Sequence, residues 1–457
     1  MSDKPETDDP RLGEVELALL ARAPEMIVAP SLERIAALVE LLGDPQSCAP
    51  VIHIAGTNGK TSTARIIDSL LRSFGLRTGL YTSPHLRHVR ERIQFGGQPI
   101  TPERFVAAYD EIAPCLPMID AQFSHGRRVD RLSMFEVLTA MAFTAFSDAP
   151  VDVMIIECGM GGRWDATNVV DAAVSVITPI HIDHQNYLGE TIEEISAEKA
   201  GILAANTPAV FAHQVHEAAQ ILLSVCHDLG LSPAREGIEF GIGERTLAVG
   251  GQQLTIDGLG GQYADLFLPL HGIHQASNAA VALATVETFL GGGSRLLNED
   301  SVRDGMARVT SPGRIELVRS GPTVIVDAAH NPHGAHALAA ALTESFSFDR
   351  VVGIVAAMED KDHRGMLAAM EPVVDELIVT ENSSPRSALA MEMAETARAV
   401  FGDERVTVSS GIPQAVDDAT ERADELLGEW SVGIVAFGSV VTAADVRDYL
   451  RQGGQRS

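Results

Sequence analysis

The stretch VIHIAGTNGKTSTARIIDSLLRSFG, residues 51–75, constrains the fold of this chain more than any other. VIHIA is a short apolar run and TSTARIIDSLLRSFG has helical periodicity up to Gly75, so the turn between them joins a buried strand to a helix. Gly56 and Gly59 let backbone N–H groups close on an oxyanion, the helix opening at Thr61 offers its positive end, and Lys60 adds a full charge. Together these suit a polyphosphate. The usual phosphate loop reads G-x-x-x-x-G-K-[ST], and counting back from Gly59-Lys60-Thr61 puts Ile54 where the first glycine belongs. The loop departs from that pattern at one position.

Around it, short apolar runs at TGLYT, VDVMIIE, AVSVIT and PAVF alternate with helical patterns at 31–43, 134–146, 191–203 and 213–230. Such alternation implies an α/β domain around a mostly parallel sheet. Residues 238–272 alternate differently and suggest a small antiparallel excursion, followed by helices at 274–290 and 300–309. Beyond TSPGRIE the pattern restarts, with TVIVD, VVGIVAA, DELIVT, RVTVS and VGIVAFG as strands, so a division into domains 1–310 and 311–457 is expected, the second of Rossmann-like type.

The 457 residues are more than one core usually serves, and 46% are apolar without a run long enough to span a bilayer. The acidic start MSDKPETDDPRLGEVE lacks the basic and apolar segments of a secretory signal, so a cytoplasmic protein is expected. Cys48, Cys115, Cys158 and Cys226 form no C-x-x-C pair, which suits reduced thiols. The net charge of −28, from 34 basic and 62 acidic residues, repels polyanions, so neither nucleic acid nor a membrane surface is expected as a partner. An anionic substrate needs a local cluster of donors to overcome that field.

Two further stretches offer chemistry. In VDVMIIECGMGGRWDATN, Glu157 ends a strand at the edge where parallel sheets bind ligands; it either holds the magnesium that accompanies ATP or simply caps the loop, with Asp165 and Asn168 as turn residues. In TPIHIDHQNYLGETIEEISAEKAGI, His181, Asp183 and His184 follow another strand, and Thr191 and Glu194 make a capping box for a helix containing Lys199. Taken alone, Lys199 reads as a solvated helix lysine and His184 as structural.

Taken in order, HIAGTNGKTS, YTSPHL, MFE, ECGMGGRWDATN, IDHQNYLG, EKAGI, HQASNAA, SPGR and DAAHNP resemble the bacterial folylpolyglutamate synthases, including bifunctional dihydrofolate synthases, of the Mur ligase superfamily. The resemblance covers about residues 30–335 with motifs and the rest diffusely. It implies a phosphate-loop ATPase-like domain with a mostly parallel sheet plus a smaller C-terminal Rossmann-like α/β domain, the Mur ligase architecture. It also implies an ATP-dependent ligase that joins dihydropteroate or a reduced folate to L-glutamate through an acyl phosphate. Both activities are expected, because SMFE and the aspartate of RWDATN suit dihydropteroate.

By that resemblance Thr57, Asn58, Gly59, Lys60 and Thr61 hold the ATP phosphates, and Asn278, Arg314 and Asp327 are further ATP contacts. Ser83 and Glu157 resemble ligands of one magnesium; Glu157, His184 and Lys199 resemble the surroundings of a second, with Lys199 carbamylated. Lys60, Glu157, His184 and Lys199 form the implied catalytic group. Ser133, Met134, Phe135, Glu136, Trp164, Asp165 and Ala166 match the pterin positions. There Phe135 or Trp164 either stacks on the ring or packs in the core, and Asp165 suits an aminopyrimidine edge. His330 is a position for glutamate or the domain interface. LARAPEMIVAPSLERI lacks the Leu-His pair that some bifunctional relatives carry before the equivalent helix. A monomer is the expected state. Two rivals stand beside this reading: a Mur-type ligase for UDP-linked sugars, for whose extra domain roughly fifty residues before the loop are too few, and an ATPase switch, which hydrolyses ATP without an acceptor.

Overall fold

The computed structural model describes residues 10–23, 31–123 and 131–453, and the chain divides into two compact units. The first takes in the described residues up to Glu244, Leu254–Leu266 and Ser277–Val309; the second takes in Arg245–Gln253, Phe267–Ala276 and the chain from Thr310 onward. Residues 1–9 of the acidic start and residues 24–30 of the LARAPEMIVAPSLERI stretch lie outside the described residues.

The sheet of the first unit contains β1 (Val51–Ala55), β2 (Thr78–Tyr81), β3 (Ile93–Phe95), β4 (Gln98–Pro99), β5 (Val153–Glu157), β6 (Ala172–Ile177), β7 (Ala209–Phe211) and β8 (Ala234–Arg235). Their spatial order is β4-β3-β2-β5-β1-β6-β7-β8. The strands from β2 to β8 along that order run parallel, and β3 and β4 add an antiparallel edge. β1 and β5 are buried along their whole length, which is why their sequences are near-continuous apolar runs rather than alternating ones.

This topology places the site. From β1 the chain passes through helix Lys60–Ser73 to β2, whereas from β6 it passes to β7, in the opposite direction along the sheet. The carboxyl ends of β1 and β6 therefore bracket the crevice at which open α/β sheets bind ligands. Helix Met134–Asp148 begins with a reciprocal cap between Ser133 and Glu136 and buries Phe143 and Phe146 in the core.

The 238–272 region folds as β9 (Gly241–Ala248), β10 (Gly251–Asp257) and β11 (Gln262–Leu268), in the order β11-β10-β9. Helix Ile273–Gly291 follows, and its buried Glu287 accepts hydrogen bonds from Leu259 N (2.6 Å), Gly260 N (2.8 Å) and the Tyr263 hydroxyl (2.9 Å). One carboxylate thus satisfies three donors and fixes the helix that carries Asn278.

In the second unit β12 (Glu316–Ser320), β13 (Thr323–Val326), β14 (Arg350–Val355), β15 (Glu376–Val379), β16 (Val406–Val408) and β17 (Val432–Phe437) lie in the order β12-β13-β17-β14-β15-β16. All are parallel except β12. The strands expected from apolar runs are present in both units. β3, β4, β8 and β12 were not expected, being edge segments of two to five residues; β4, β8 and β12 are largely unburied, so they offer little apolar pattern to read. Among the described residues no helix is long and apolar enough to cross a membrane.

Replacing Glu287 by alanine leaves two amides and a phenol without their acceptor, at about 1–3 kcal/mol for each buried group left unpaired. The thermal unfolding midpoint should fall by several degrees in calorimetry, and by less for Glu287→Gln, which keeps an acceptor oxygen. An unchanged midpoint for Glu287→Ala contradicts this role.

Candidate active site

The phosphate loop is shaped by what cannot fit in it. Gly56 and Gly59 have φ of 148° and 86°. A β-carbon on Gly56 would stand 1.9 Å from Thr178 Oγ1, and one on Gly59 would stand 2.5 Å from Asn278 Oδ1, so both positions require glycine for space and for backbone angle. The Thr57 and Asn58 amides donate to Pro179 O at 2.9 and 3.3 Å. The Thr57 hydroxyl donates to His181 O at 3.0 Å and accepts from His181 N at 3.1 Å. The loop after β1 is thereby tied to the loop after β6, across the crevice. Lys60, the first residue of its helix, turns back so that Nζ donates to Gly56 O (3.0 Å) and Thr57 O (3.1 Å).

Glu157 ends β5, buried, in register beside Ile54. Its two carboxylate oxygens stand 2.9 and 3.0 Å from Thr61 Oγ1, which shares its single proton between them, and Oε2 accepts from Ser83 N at 3.3 Å. Ser83 and Glu157, matched to one magnesium by resemblance, are neighbours, and Thr61, matched to the ATP phosphates, joins them at the same carboxylate.

Lys199 ends helix Ile192–Lys199, which opens with the reciprocal Thr191 and Glu194 cap. Its side chain is buried rather than solvated, so the reading of it as a surface lysine is corrected. Nζ donates to Gly56 O at 2.8 Å. Burial first, and then the charge of Lys60, lower its pKa to about 7, against the opposing influence of Cys158, Asp183 and Asp165. A neutral amine is thus well populated near neutral pH. His184 has a left-handed backbone, φ 52°, and its N–H donates to Asp183 Oδ1 at 2.8 Å.

The residues matched to a pterin site divide into two kinds. Ser133 and Glu136 cap each other, with Ser133 N donating to Glu136 Oε2 (2.7 Å) and Glu136 N donating to Ser133 Oγ (3.1 Å). The other carboxylate oxygen of Glu136 accepts from Arg34 Nε at 3.0 Å in a buried ion pair. Phe135 is buried, tilted against Tyr81 at a centroid distance of 5.8 Å and pressed on Gly159, where a β-carbon would lie 2.5 Å from the ring. Met134 is half-buried and Ala166 is buried in the same core. Trp164 is half-buried, with its backbone N–H on Glu198 Oε1 at 3.2 Å. The Asp165 carboxylate orders its own loop, accepting from Met160 N, Thr167 N and the Thr167 hydroxyl at 2.8, 2.9 and 2.6 Å.

Asn278 belongs to the first unit and faces Gly59. Arg314, Asp327 and His330 belong to the second. There Asp327 follows β13, buried, and accepts from Ile315 N (2.8 Å) and Ala329 N (2.7 Å). Burial raises its pKa, and the nearby Arg314 guanidinium opposes that. Ile315 itself has φ 45°, an uncommon conformation for a β-branched residue, held by that bond. Arg314 donates to Gly313 O (3.1 Å), and His330 Nδ1 donates to Ala328 O (2.9 Å). Sequence reading missed Thr178, Arg34 and His53, because each acts through tertiary neighbours that no local spacing reveals. Among the described residues no three His, Cys, Asp or Glu side chains converge as a metal cage by themselves.

Residues 313–430 match the family model described as Mur ligase, glutamate ligase domain. With the phosphate loop, strand-end carboxylate and buried lysine of the first unit, this defines a Mur-type ATP-dependent ligase. The chain is 51% identical over 451 residues to dihydrofolate synthase/folylpolyglutamate synthase of Mycobacterium tuberculosis, covering 95% of this chain and 93% of that protein. It belongs to the dihydrofolate synthase/folylpolyglutamate synthase family. The Escherichia coli protein of the same name is 33% identical, with 93% of each chain covered. Among solved structures, Mycobacterium tuberculosis folylpolyglutamate synthase complexed with ADP and AMPPCP matches with a TM-score of 0.91 at 50% identity, over 96% of this chain and 98% of that one. The Escherichia coli protein in complex with DHPP and ADP matches at 0.84 and 31%, over 98% of both.

The loop geometry makes a direct prediction. Gly59→Ala forces an L-residue into a left-handed conformation, costing about 1–2 kcal/mol, and sets its methyl against Asn278. ATP affinity measured by calorimetry should fall roughly tenfold or more, with circular dichroism unchanged. Wild-type affinity would contradict the steric account.

Proposed function

We propose that the chain forms an amide between the carboxyl group of dihydropteroate or a reduced folate and the amine of L-glutamate, driven by ATP. The observation that carries this is the convergence of the Lys60 ammonium, the Lys199 amine, the Thr61 hydroxyl and the Glu157 carboxylate around the Gly56–Gly59 turn. A carboxylate becomes an acceptor for an amine only when one oxygen is made a leaving group. The γ-phosphoryl group of ATP moves to that oxygen, an O–P bond forming as the β–γ bridge breaks, to give an acyl phosphate and ADP. The glutamate amine then adds to the acyl carbon, its surplus proton passes to water, and phosphate departs. Positioning and charge neutralisation are what this chain contributes.

We assign the phosphates to Thr57, Asn58, Gly59, Lys60 and Thr61, with Asn278, Arg314 and Asp327 as further ATP contacts. Thr61, Ser83 and Glu157 are an all-oxygen donor set, and such a set fits Mg²⁺, which neutralises phosphate charge when bound. Glu157, His184 and Lys199 belong to the surroundings of a second ion. An ammonium does not fit that place, but a carbamate does, and the buried Lys199 amine is suited to form one: its lone pair adds to the carbon of CO₂ and one proton is released. Trp164 offers a ring face and Asp165 an acceptor for the pterin, while Ser133, Met134, Phe135, Glu136 and Ala166 shape the wall beside them. His330 serves the incoming glutamate. The enzyme acts in the cytoplasm as a monomer.

Phosphate release with ATP and magnesium should require both L-glutamate and a pterin acceptor, and should occur with dihydropteroate and with tetrahydrofolate. Release without an acceptor returns the reading to an ATPase switch; turnover of tetrahydrofolate alone removes the dihydrofolate synthase half. For Lys199, protein equilibrated with ¹³CO₂ should show a carbamate carbon resonance that Lys199→Arg lacks. The same spectrum for both proteins refutes the modification.

A further inference from the structure

We propose that His53 is a positioning residue: through the Thr167 hydroxyl it fixes the Asp165 carboxylate as an acceptor for the pterin. This rests on the reading of Asp165 as a pterin contact. His53 lies in the middle of β1, three residues before Gly56, with its side chain fully buried. A strand covered on both faces calls for an apolar side chain there, and an imidazole is costly to bury unless its polar atoms are paired.

The pairing is specific. Nε2 lies 2.8 Å from Thr167 Oγ1 and 3.2 Å from the Cys158 sulfur. Thr167 gives its one hydroxyl proton to Asp165 Oδ1 at 2.6 Å, a length typical of a charged acceptor. Its approach to the Cys158 sulfur, at 3.5 Å, is the weaker alternative. With that proton committed, Oγ1 meets the imidazole through a lone pair, so Nε2 carries the hydrogen and donates. Nδ1 is then a bare acceptor, buried and without a hydrogen-bond partner among the described residues. Packing alone gains nothing from that orphaned nitrogen. What the imidazole supplies is the Nε2–H bond, and with it a chain from the strand that carries the phosphate loop to the loop that carries Trp164 and Asp165.

The test is steady-state kinetics of the full chain with dihydropteroate and ATP varied separately, comparing His53→Leu, His53→Gln, Thr167→Val and Asp165→Asn with the parent. His53→Leu and Thr167→Val should each raise the KM for dihydropteroate about tenfold, with the KM for ATP and kcat within about twofold. His53→Gln, whose amide nitrogen reaches the place of Nε2, should restore most of the loss. The double variant His53→Leu/Thr167→Val should be no worse than either single one, since both break one chain. Thr167→Val is near-isosteric and decides the matter if His53→Leu does not fold. If Asp165→Asn leaves the pterin KM unchanged, the reading of Asp165 falls and the role of His53 with it. If Asp165→Asn raises that KM while Thr167→Val does not, only the role of His53 falls. It falls equally if the KM for ATP rises in parallel or if glutamine fails to rescue.

Discussion

One carbonyl oxygen organises this site. Gly56 O receives Nζ of Lys60 at 3.0 Å and Nζ of Lys199 at 2.8 Å. Two ammonium groups bound to one oxygen repel each other, and Lys199 is also buried. Burial above all, with the charge of Lys60 behind it, lowers the pKa of Lys199 to about 7, so this lysine gives up its proton more readily than an ordinary one. Two lysine side chains thus end at the turn proposed for the ATP phosphates. The geometry is possible only because Gly56 carries no β-carbon: Thr178 fills the space where one would be.

The arrangement also explains how an acidic chain handles anionic substrates. The chain holds four lysines, Lys4, Lys60, Lys199 and Lys361, against a net charge of −28, and two of the four meet at Gly56. Arginine supplies almost all its other positive charge, and surface guanidiniums such as those of Arg77 and Arg422 are taken up by carboxylates. Arginine stays protonated and could not take the place of Lys199, where a removable proton is the property needed.

Much of this is legible in the sequence because it depends on local spacing. The strand, glycine turn and helix of residues 51–75 declare the phosphate loop, and the alternation of apolar runs with helical segments declares two α/β sheets. What could not be read depends on partners distant along the chain. The position of Lys199 in a helix says solvent, yet Gly56, far away in sequence, receives its amine and buries it. Phe135 fits a ring-stacking position by motif, yet its ring lies on Tyr81 and Gly159. His53 looks like one more residue of an apolar strand until Thr167 and Asp165 are seen beside it. The stretches Arg245–Gln253 and Phe267–Ala276 belong by contacts to the second unit, which no change of composition announces.

The proposed reaction turns on transfer of the γ-phosphoryl group to the substrate carboxylate, with the two lysines and Glu157 assigned to charge on phosphate rather than to direct attack on a carbon. The most direct measurement supplies dihydropteroate labelled with ¹⁸O in its carboxyl group, together with ATP and L-glutamate, and determines the isotope content of the inorganic phosphate by mass spectrometry. One ¹⁸O atom per phosphate is the expected result, since the oxygen bridging carbon and phosphorus leaves with phosphorus. Phosphate free of label would mean that water or another nucleophile cleaves ATP and that no acyl phosphate forms.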